Sequence, residues 1–224
     1  MQTMSRRSFL LASLGVASLC LAGCGSGASG AASTSASSAS AVPSSSASSC
    51  VTSASGEYAS GTHHATIEVE GYGAIKLELD ADVAPVTVAN FAKLAGEGFY
   101  DGMTFHRIIE GFMVQGGDPN GNGTGGSDEK IVGEFSDNGH PNSISHVRGT
   151  ISMARSQAYN SASSQFFIMQ VDTSSLDGQY AAFGHVTEGM DVVDAMCEAA
   201  RPTDNNGTIA AADQPRIASV KMDD

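Results

Sequence analysis

Ala65, Ile67 and Val69 alternate with Thr66, Glu68 and Glu70, and beyond "GYG" Ile75, Leu77 and Leu79 alternate with Lys76 and Glu78. A period of two in both runs predicts a β-hairpin with one buried face. From Pro85 to Leu94 the spacing changes. Val88, Phe91 and Leu94 fall at helical intervals, with Pro in the first turn and Gly after the last, which predicts a helix of about three turns. Short apolar runs then follow one another: "MTFHRII" (103–109), "GFMVQ" (111–115), "GTISMA" (149–154), "QFFIMQ" (165–170), "YAAFGHV" (180–186) and "RIASVKM" (216–222). Each predicts a strand, and "MDVVDAM" (190–196) predicts a second short helix. Many short strands with two separated helices predict an antiparallel barrel whose open ends are plugged.

The first sixty residues follow another pattern. Arg6 and Arg7 precede an apolar run from Phe9 to Leu21. That run is shorter than the roughly 20 residues a membrane-spanning helix needs, and it fits the apolar region of a signal peptide over residues 1–23. "LAGC" at Leu21 to Cys24 resembles the lipobox of bacterial lipoproteins, in which the Cys becomes the lipid-modified first residue. "SRRSFLL" resembles a twin-arginine signal, although two Arg also suit an ordinary secretory leader. Residues 24–61 read as a linker: of the 32 residues from 25 to 56, 14 are Ser, 8 Ala, 4 Gly and 2 Thr. Such a stretch cannot bury enough apolar area to offset its ordering entropy, so a disordered segment is expected before a domain spanning 62–222.

Charge narrows the range of partners. The chain carries a formal net charge of −13, and no acidic residue precedes Glu57. Removal of residues 1–23 leaves 9 basic against 24 acidic residues, or −15. A domain this acidic repels nucleic-acid backbones and anionic bilayers alike, so membrane contact is expected only through lipid on Cys24. Cys50 and Cys197 remain, open either to a bridge in an oxidising exterior or to two unpaired thiols. No apolar surface stripe argues for a dimer, and a monomer is expected.

One stretch matches a metal-site template. In "GGDPNGNGTGGSDE" (116–129), Asp118, Asn120, Asn122, Gly123 and Glu129 fill the constrained positions of an EF-hand calcium loop. The flanks disagree with it. The loop follows a strand-like run rather than a helix, its second position is Pro119, and its eighth, which wants an apolar residue, is Gly125. The same glycines lack the Lys and Ser/Thr of a phosphate cradle.

"FHRIIEGFMVQGGD", followed in order by "GTGG", "ISMAR", "SSQFFI", "LDG" and "FGHV", resembles the cyclophilin family of peptidyl-prolyl cis/trans isomerases over about residues 62–222. The resemblance implies an all-β fold, an eight-stranded closed antiparallel β-barrel capped by two α-helices. It also implies that the "GGDPNGNGTGG" turn holds no metal, and that no cofactor is used. By the same resemblance Arg107 takes the catalytic position. Phe112, Met113, Phe167 and Leu176 match the proline pocket, Gln115 and Gln165 the amides that bind substrate backbone, and Ala154 the small residue beneath the peptide. Two positions depart from the best-known eukaryotic members: Ser175 stands where they have a Trp that also grips cyclosporin, and Tyr180 where they have a His. Weak cyclosporin binding is therefore expected. Ala158 and Tyr159 replace the Asp-Pro usual in similar bacterial sequences, which alters that rim.

The implied reaction suits these residue types. An X-Pro bond rotates over a barrier of roughly 18–20 kcal/mol because resonance stiffens it. A catalyst needs an apolar slot for the ring and a donor where the nitrogen gains lone-pair character. A guanidinium is charged at any relevant pH and offers several fixed donors. Other groups invite plainer readings: His63 and His64 as a solvated pair rather than a zinc site, His106 hydrogen-bonded inside the barrel, and Asp118, Asp128 and Glu129 as solvated loop carboxylates. Neither G-x-S-x-G nor H-E-x-x-H occurs. The expected activity is isomerisation of X-Pro bonds in exported proteins, by a folding helper tethered outside the cytoplasmic membrane. A proline-peptide binding module and calcium-dependent adhesion are the competing readings.

Overall fold

A computed structural model describes residues 50–224. The signal peptide, the lipobox with Cys24 and the linker up to residue 49 lie outside the described residues. Strands β1 (Thr62–Val69) and β2 (Gly73–Asp80) form the expected hairpin, with Ile67 opposite Ile75 and Ala65 opposite Leu77. Helix α1 (Pro85–Gly96) follows, then β3 (Arg107–Ile109), β4 (Met113–Gly116), β5 (Thr150–Met153), β6 (Phe166–Met169), β7 (Ala182–Glu188), α2 (Met190–Ala199) and β8 (Ile217–Met222). All pairings are antiparallel, in the order β3-β4-β6-β5-β7-β2-β1-β8.

The closed barrel expected from the sequence is corrected: the sheet is an open half-barrel whose edges, β3 and β8, share no ladder. The reason lies in the segment between α2 and β8. Residues 207–209 run along the free edge of β3, where the Ile108 N–H donates to Gly207 O (2.9 Å) and the Ile209 N–H to His106 O (2.9 Å). Gly207 has φ 83°, and a Cβ there would strike the Ile108 backbone, so this edge cover needs glycine. Where the seam is bridged at all, it is by single pairs such as Thr104 with Arg216.

The concave side of the sheet holds the core. Ile67, Ile75, Leu77, Ile108, Val114, Ile151, Phe166 and Ile168 meet Phe91 of α1, whose ring lies 5.4 Å from Phe183 and 5.8 Å from Phe166. Helix α1 has Pro85 in its first turn but Ala84 at its N-cap, so no local side chain serves its orphan N–H groups. Buried Glu134 does so from elsewhere in the chain, accepting from Val86 N (3.0 Å), Thr87 N (2.8 Å) and Thr87 Oγ1 (2.7 Å).

The expected linker ends earlier than residue 61. Val51 forms a parallel bridge with Ile131, its N–H donating to Lys130 O (2.8 Å) and its carbonyl accepting from Val132 N (2.9 Å). Tyr58 packs on the core from a short 3-10 turn, Glu57–Ala59. Among the described residues, Cys50 and Cys197 are free thiols. Cys197 is buried, and burial pushes its pKa up to about 12, which leaves it unreactive.

Candidate active site

Strand register builds the site. Arg107 lies opposite Gln115, and Gln115 opposite Phe167, so three adjacent strands carry one row of side chains on the convex side of the sheet. A second row, Ile109, Met113 and Met169, runs beside it. Met113, Phe167 and Met169 form an apolar cluster separate from the core, joined by Phe112, Ala154, Leu176 and Tyr180. Strand β6 is therefore apolar at all four positions because both of its faces are covered.

The cluster floors a cleft of about 460 Å³ lined by Arg107, Phe112, Met113, Gln115, Ala154, Phe167, Leu176 and Tyr180, with Asn122, Gly123 and Thr124 along one side. Gln165 lines an adjoining smaller cleft and joins the first through hydrogen bonds. Arg107 and the residues expected to bind substrate thus lie in two adjoining clefts, while Cys24 is outside the described residues.

Within it the polar groups form one chain. Arg107 Nη1 donates to Gln115 Oε1 (3.1 Å), Gln115 Nε2 to Gln165 Oε1 (2.9 Å), and Gln165 Nε2 to Gly125 O (2.7 Å). Arg107 Nε donates to Asn206 O (2.7 Å). Two of the five guanidinium donors are thereby committed, and Arg107 lines the cleft. No carboxylate pairs with Arg107 among the described residues. Half-burial draws its pKa down, against the opposing pull of Tyr180 and Asp204, and an arginine so placed still carries its charge.

Three histidine and carboxylate expectations are corrected. His106 is buried, and neither ring nitrogen has a hydrogen-bond partner among the described residues. Loop 118–126 folds over it without offering an acceptor, because Asp118 spends its carboxylate on the loop itself. Asp118 is not solvated but 1% exposed, and it accepts from Asn120 N (2.8 Å), Asn122 N (3.0 Å) and Gly123 N (2.6 Å). Burial works to raise its pKa, yet these N–H groups hold it below the usual carboxylate range. A Cβ on Gly125 would overlap Asp118 Oδ1, so the loop closes tightly on this carboxylate. No cluster of metal-ligating side chains occurs among the described residues. His63 is likewise buried, bonded to Asp224 Oδ2 (2.8 Å) and to Ser60 O (3.0 Å), while His64 is exposed. Glu129 is exposed and ion-paired with Lys93 (2.6 Å).

Two participants escaped the sequence reading. His146 stacks on Phe167 (5.9 Å, 16°), bonded to Asp177 Oδ1 (2.9 Å) through Nδ1 and to Ser152 Oγ (3.0 Å) through Nε2. Its bonding depends on a strand register that periodicity cannot supply. Arg155 lines both clefts, and the last letter of "ISMAR" was the only hint of it.

Burial lowers the pKa of His106 and of His146, with Asp118 and Asp177 respectively opposing. Both rings therefore take up protons less readily in the fold than in the unfolded chain, where they do so near pH 6.5. Stability is expected to decline as pH falls below about 6.5, because the unfolded state then binds more protons. His63 acts oppositely: burial pulls its pKa down, but the bonds to Asp224 and Ser60 leave it raised, so its contribution is complete below that range and fades as pH rises. With two depressed rings against one raised, urea midpoints should fall between pH 7 and pH 5. A midpoint constant over that interval contradicts the lowering of both pKa values by burial.

The half-barrel thus carries on one sheet face an apolar slot beside a guanidinium that no carboxylate among the described residues pairs with. Residues 64–222 match the family model for cyclophilin type peptidyl-prolyl cis-trans isomerase. The chain is 47% identical over 137 residues to a peptidyl-prolyl cis-trans isomerase of Helicobacter pylori, covering 60% of this chain and 80% of that one. It is 47% identical over 122 residues to peptidyl-prolyl cis-trans isomerase B of Bacillus subtilis, covering 54% and 82%. A solved cyclophilin type isomerase of Cryptosporidium parvum, crystallised in the presence of the dipeptide Ala-Pro, is similar with TM-score 0.63 and 30% identity over 72% of this chain and 99% of that one. The chain belongs to the cyclophilin type peptidyl-prolyl cis-trans isomerase family, and is an isomerase of that class.

Proposed function

We propose that the protein turns X-Pro bonds in exported proteins, held outside the cytoplasmic membrane by lipid on Cys24, with Arg107 as its catalytic residue. The proline ring enters the slot of Phe112, Met113, Phe167 and Leu176, closed at one side by Tyr180. Gln115 and Gln165 hold the peptide backbone, and Ala154 leaves it room. The ring stays fixed while the preceding carbonyl rotates. As resonance is lost the imide nitrogen gains lone-pair character, and a free Arg107 donor meets it there, so the twisted bond is held more firmly than the flat one. No proton transfer is needed, which agrees with an arginine rather than a group titrating near neutrality. The observation that carries this reading is a guanidinium with uncommitted donors at the edge of an apolar slot, both fixed to one rigid sheet.

The export and tether are supported by the "LAGC" and two-Arg features of the sequence. Growth with labelled palmitate should mark the protein and place it in the membrane fraction, and Cys24→Ser should lose the label and release it. Membrane retention of an unlabelled Cys24→Ser protein contradicts the lipid tether. The exposed Ser175 leaves cyclosporin without a large aromatic contact and its N–H donor, a loss of ~2–4 kcal/mol on the scale of an interface hot spot. Inhibition is expected to be weak, and a nanomolar inhibition constant would refute this.

A further inference from the structure

Arg155, the second guanidinium of the cleft, has no role in the reaction as described. It directly follows Ala154 beyond β5, and its guanidinium carbon lies 4.8 Å from the ring centre of Tyr180, 5.0 Å from Phe135 and 5.1 Å from Tyr159. Its Nε donates to Gln179 O (2.9 Å), and its Nη1 to Ser156 O (3.0 Å) and Gln157 O (3.3 Å). No carboxylate pairs with it among the described residues. A cation held by carbonyls and ring faces, with no counter-ion, acts back on the groups that hold it.

Apart from Phe135, those groups belong to two separate segments of the rim. One is the loop at 156–161, which supplies two carbonyls and Tyr159. The other is the turn carrying Gln179 and Tyr180. Tyr159 is 42% exposed, unusual for so large a ring, and it meets Phe135 edge-on (5.2 Å, 85°) while covering the outer side of the guanidinium. On the inner side Tyr180 stands edge-on to Phe167 (5.8 Å, 86°), the floor of the slot. The stack therefore runs from solvent to the slot wall, with Arg155 at its centre.

We infer that Arg155 is a positioning residue: stacked among Tyr159, Phe135 and Tyr180, it fixes the Tyr180 ring against Phe167 and so sets the width of the proline slot before a peptide arrives. This rests on the assignment of Phe167 and Tyr180 to that slot. Tyr180 sits on a turn rather than on a strand, and without the cation its ring and the turn would have to be ordered on binding. That ordering cost falls on substrate and transition state equally. It appears in KM and leaves kcat alone.

The test uses the full chain with Arg155→Leu, Arg155→Lys and Tyr159→Ser, measured by steady-state isomerisation of an Ala-Pro peptide, by thermal midpoint and by the Tyr180 ring-proton NMR signals. Arg155→Leu should raise KM about tenfold with kcat within about twofold, since a few stacked cation contacts of this kind are worth that factor. Arg155→Lys should restore part of the affinity, because it keeps charge without the planar fork. Tyr159→Ser, at an exposed position, should raise KM about two- to threefold in a folded protein, the share of one such contact. In Arg155→Leu the Tyr180 ring signals should lose the displacement imposed by the Phe167 face. An unchanged KM in Arg155→Leu, or kcat falling in step with kcat/KM, overturns the inference. If that variant fails to fold, an unchanged KM in Tyr159→Ser overturns it instead. Failure of the slot assignment shows differently: Arg107→Ala would then turn over normally, while the ring signals would still report whether Arg155 holds Tyr180.

Discussion

Arg107→Ala is expected to lower turnover on an Ala-Pro peptide by about 10²–10³, the usual cost of removing one well-placed transition-state donor. The size follows from the position of the group. Arg107 stands on β3 with its Nε held by Asn206 O and its Nη1 by Gln115, so the remaining donors are oriented before substrate binds and no reorganisation is needed during rotation. The half-buried setting of the cation strengthens its interaction with charge developing on nitrogen. Because that charge develops only as the bond twists, kcat and kcat/KM should fall together while KM moves little. Arg107→Lys keeps the charge but not the fixed fork, and should recover part of the rate. The thermal midpoint should shift little, since the side chain packs on the convex face and not in the core. Coupled isomerisation kinetics on the purified protein give the answer, and wild-type turnover in Arg107→Ala would remove the catalytic assignment.

The elements open to reading from periodicity are those with one wet face. The β1–β2 hairpin alternates cleanly because its outer residues meet solvent, and its observed register pairs the expected inward residues. Helix α1 is largely buried and shows itself instead through the spacing of Val88, Phe91 and Leu94 behind Pro85. The floor of the cleft was not open to that reading. "FFIM" is continuously apolar because Phe166 and Ile168 enter the core while Phe167 and Met169 join the apolar cluster under the cleft, and a run covered on both faces carries no period. Only the family resemblance singled out Phe167. The half-barrel, too, depends on long-range pairing: the cover of the β3 edge comes from residues 207–209, a hundred positions beyond Arg107. The local bonds of Asp118 and the lack of partners for His106 follow from how one loop closes, which a template of spacings does not encode.

Glu134→Ala should be the most destabilising single change among the polar residues discussed, lowering unfolding free energy by about 3 kcal/mol, the cost of charged hydrogen bonds lost from buried N–H groups. Val86 and Thr87 are buried, so their N–H groups cannot turn to water when the carboxylate is gone. The α1 N-terminus also loses the negative charge that complements its dipole, and Ala84 offers no side chain to take over. For a domain of this size the thermal midpoint should drop by roughly 6–12 °C. Glu134→Gln retains one acceptor oxygen but turns an amide N–H₂ towards a donor, and should lie between the two. The effect reaches the cleft. Glu134 O accepts from Asn142 Nδ2 (2.8 Å), and the next residue, Phe135, lies under the Arg155 guanidinium. Below its midpoint the Glu134→Ala protein should therefore bind peptide more weakly while keeping kcat, because Arg107 is anchored on the opposite side by Gln115 and Asn206. An unshifted midpoint would mean that the helix end is served by groups other than this carboxylate, and the cap assigned here would be wrong.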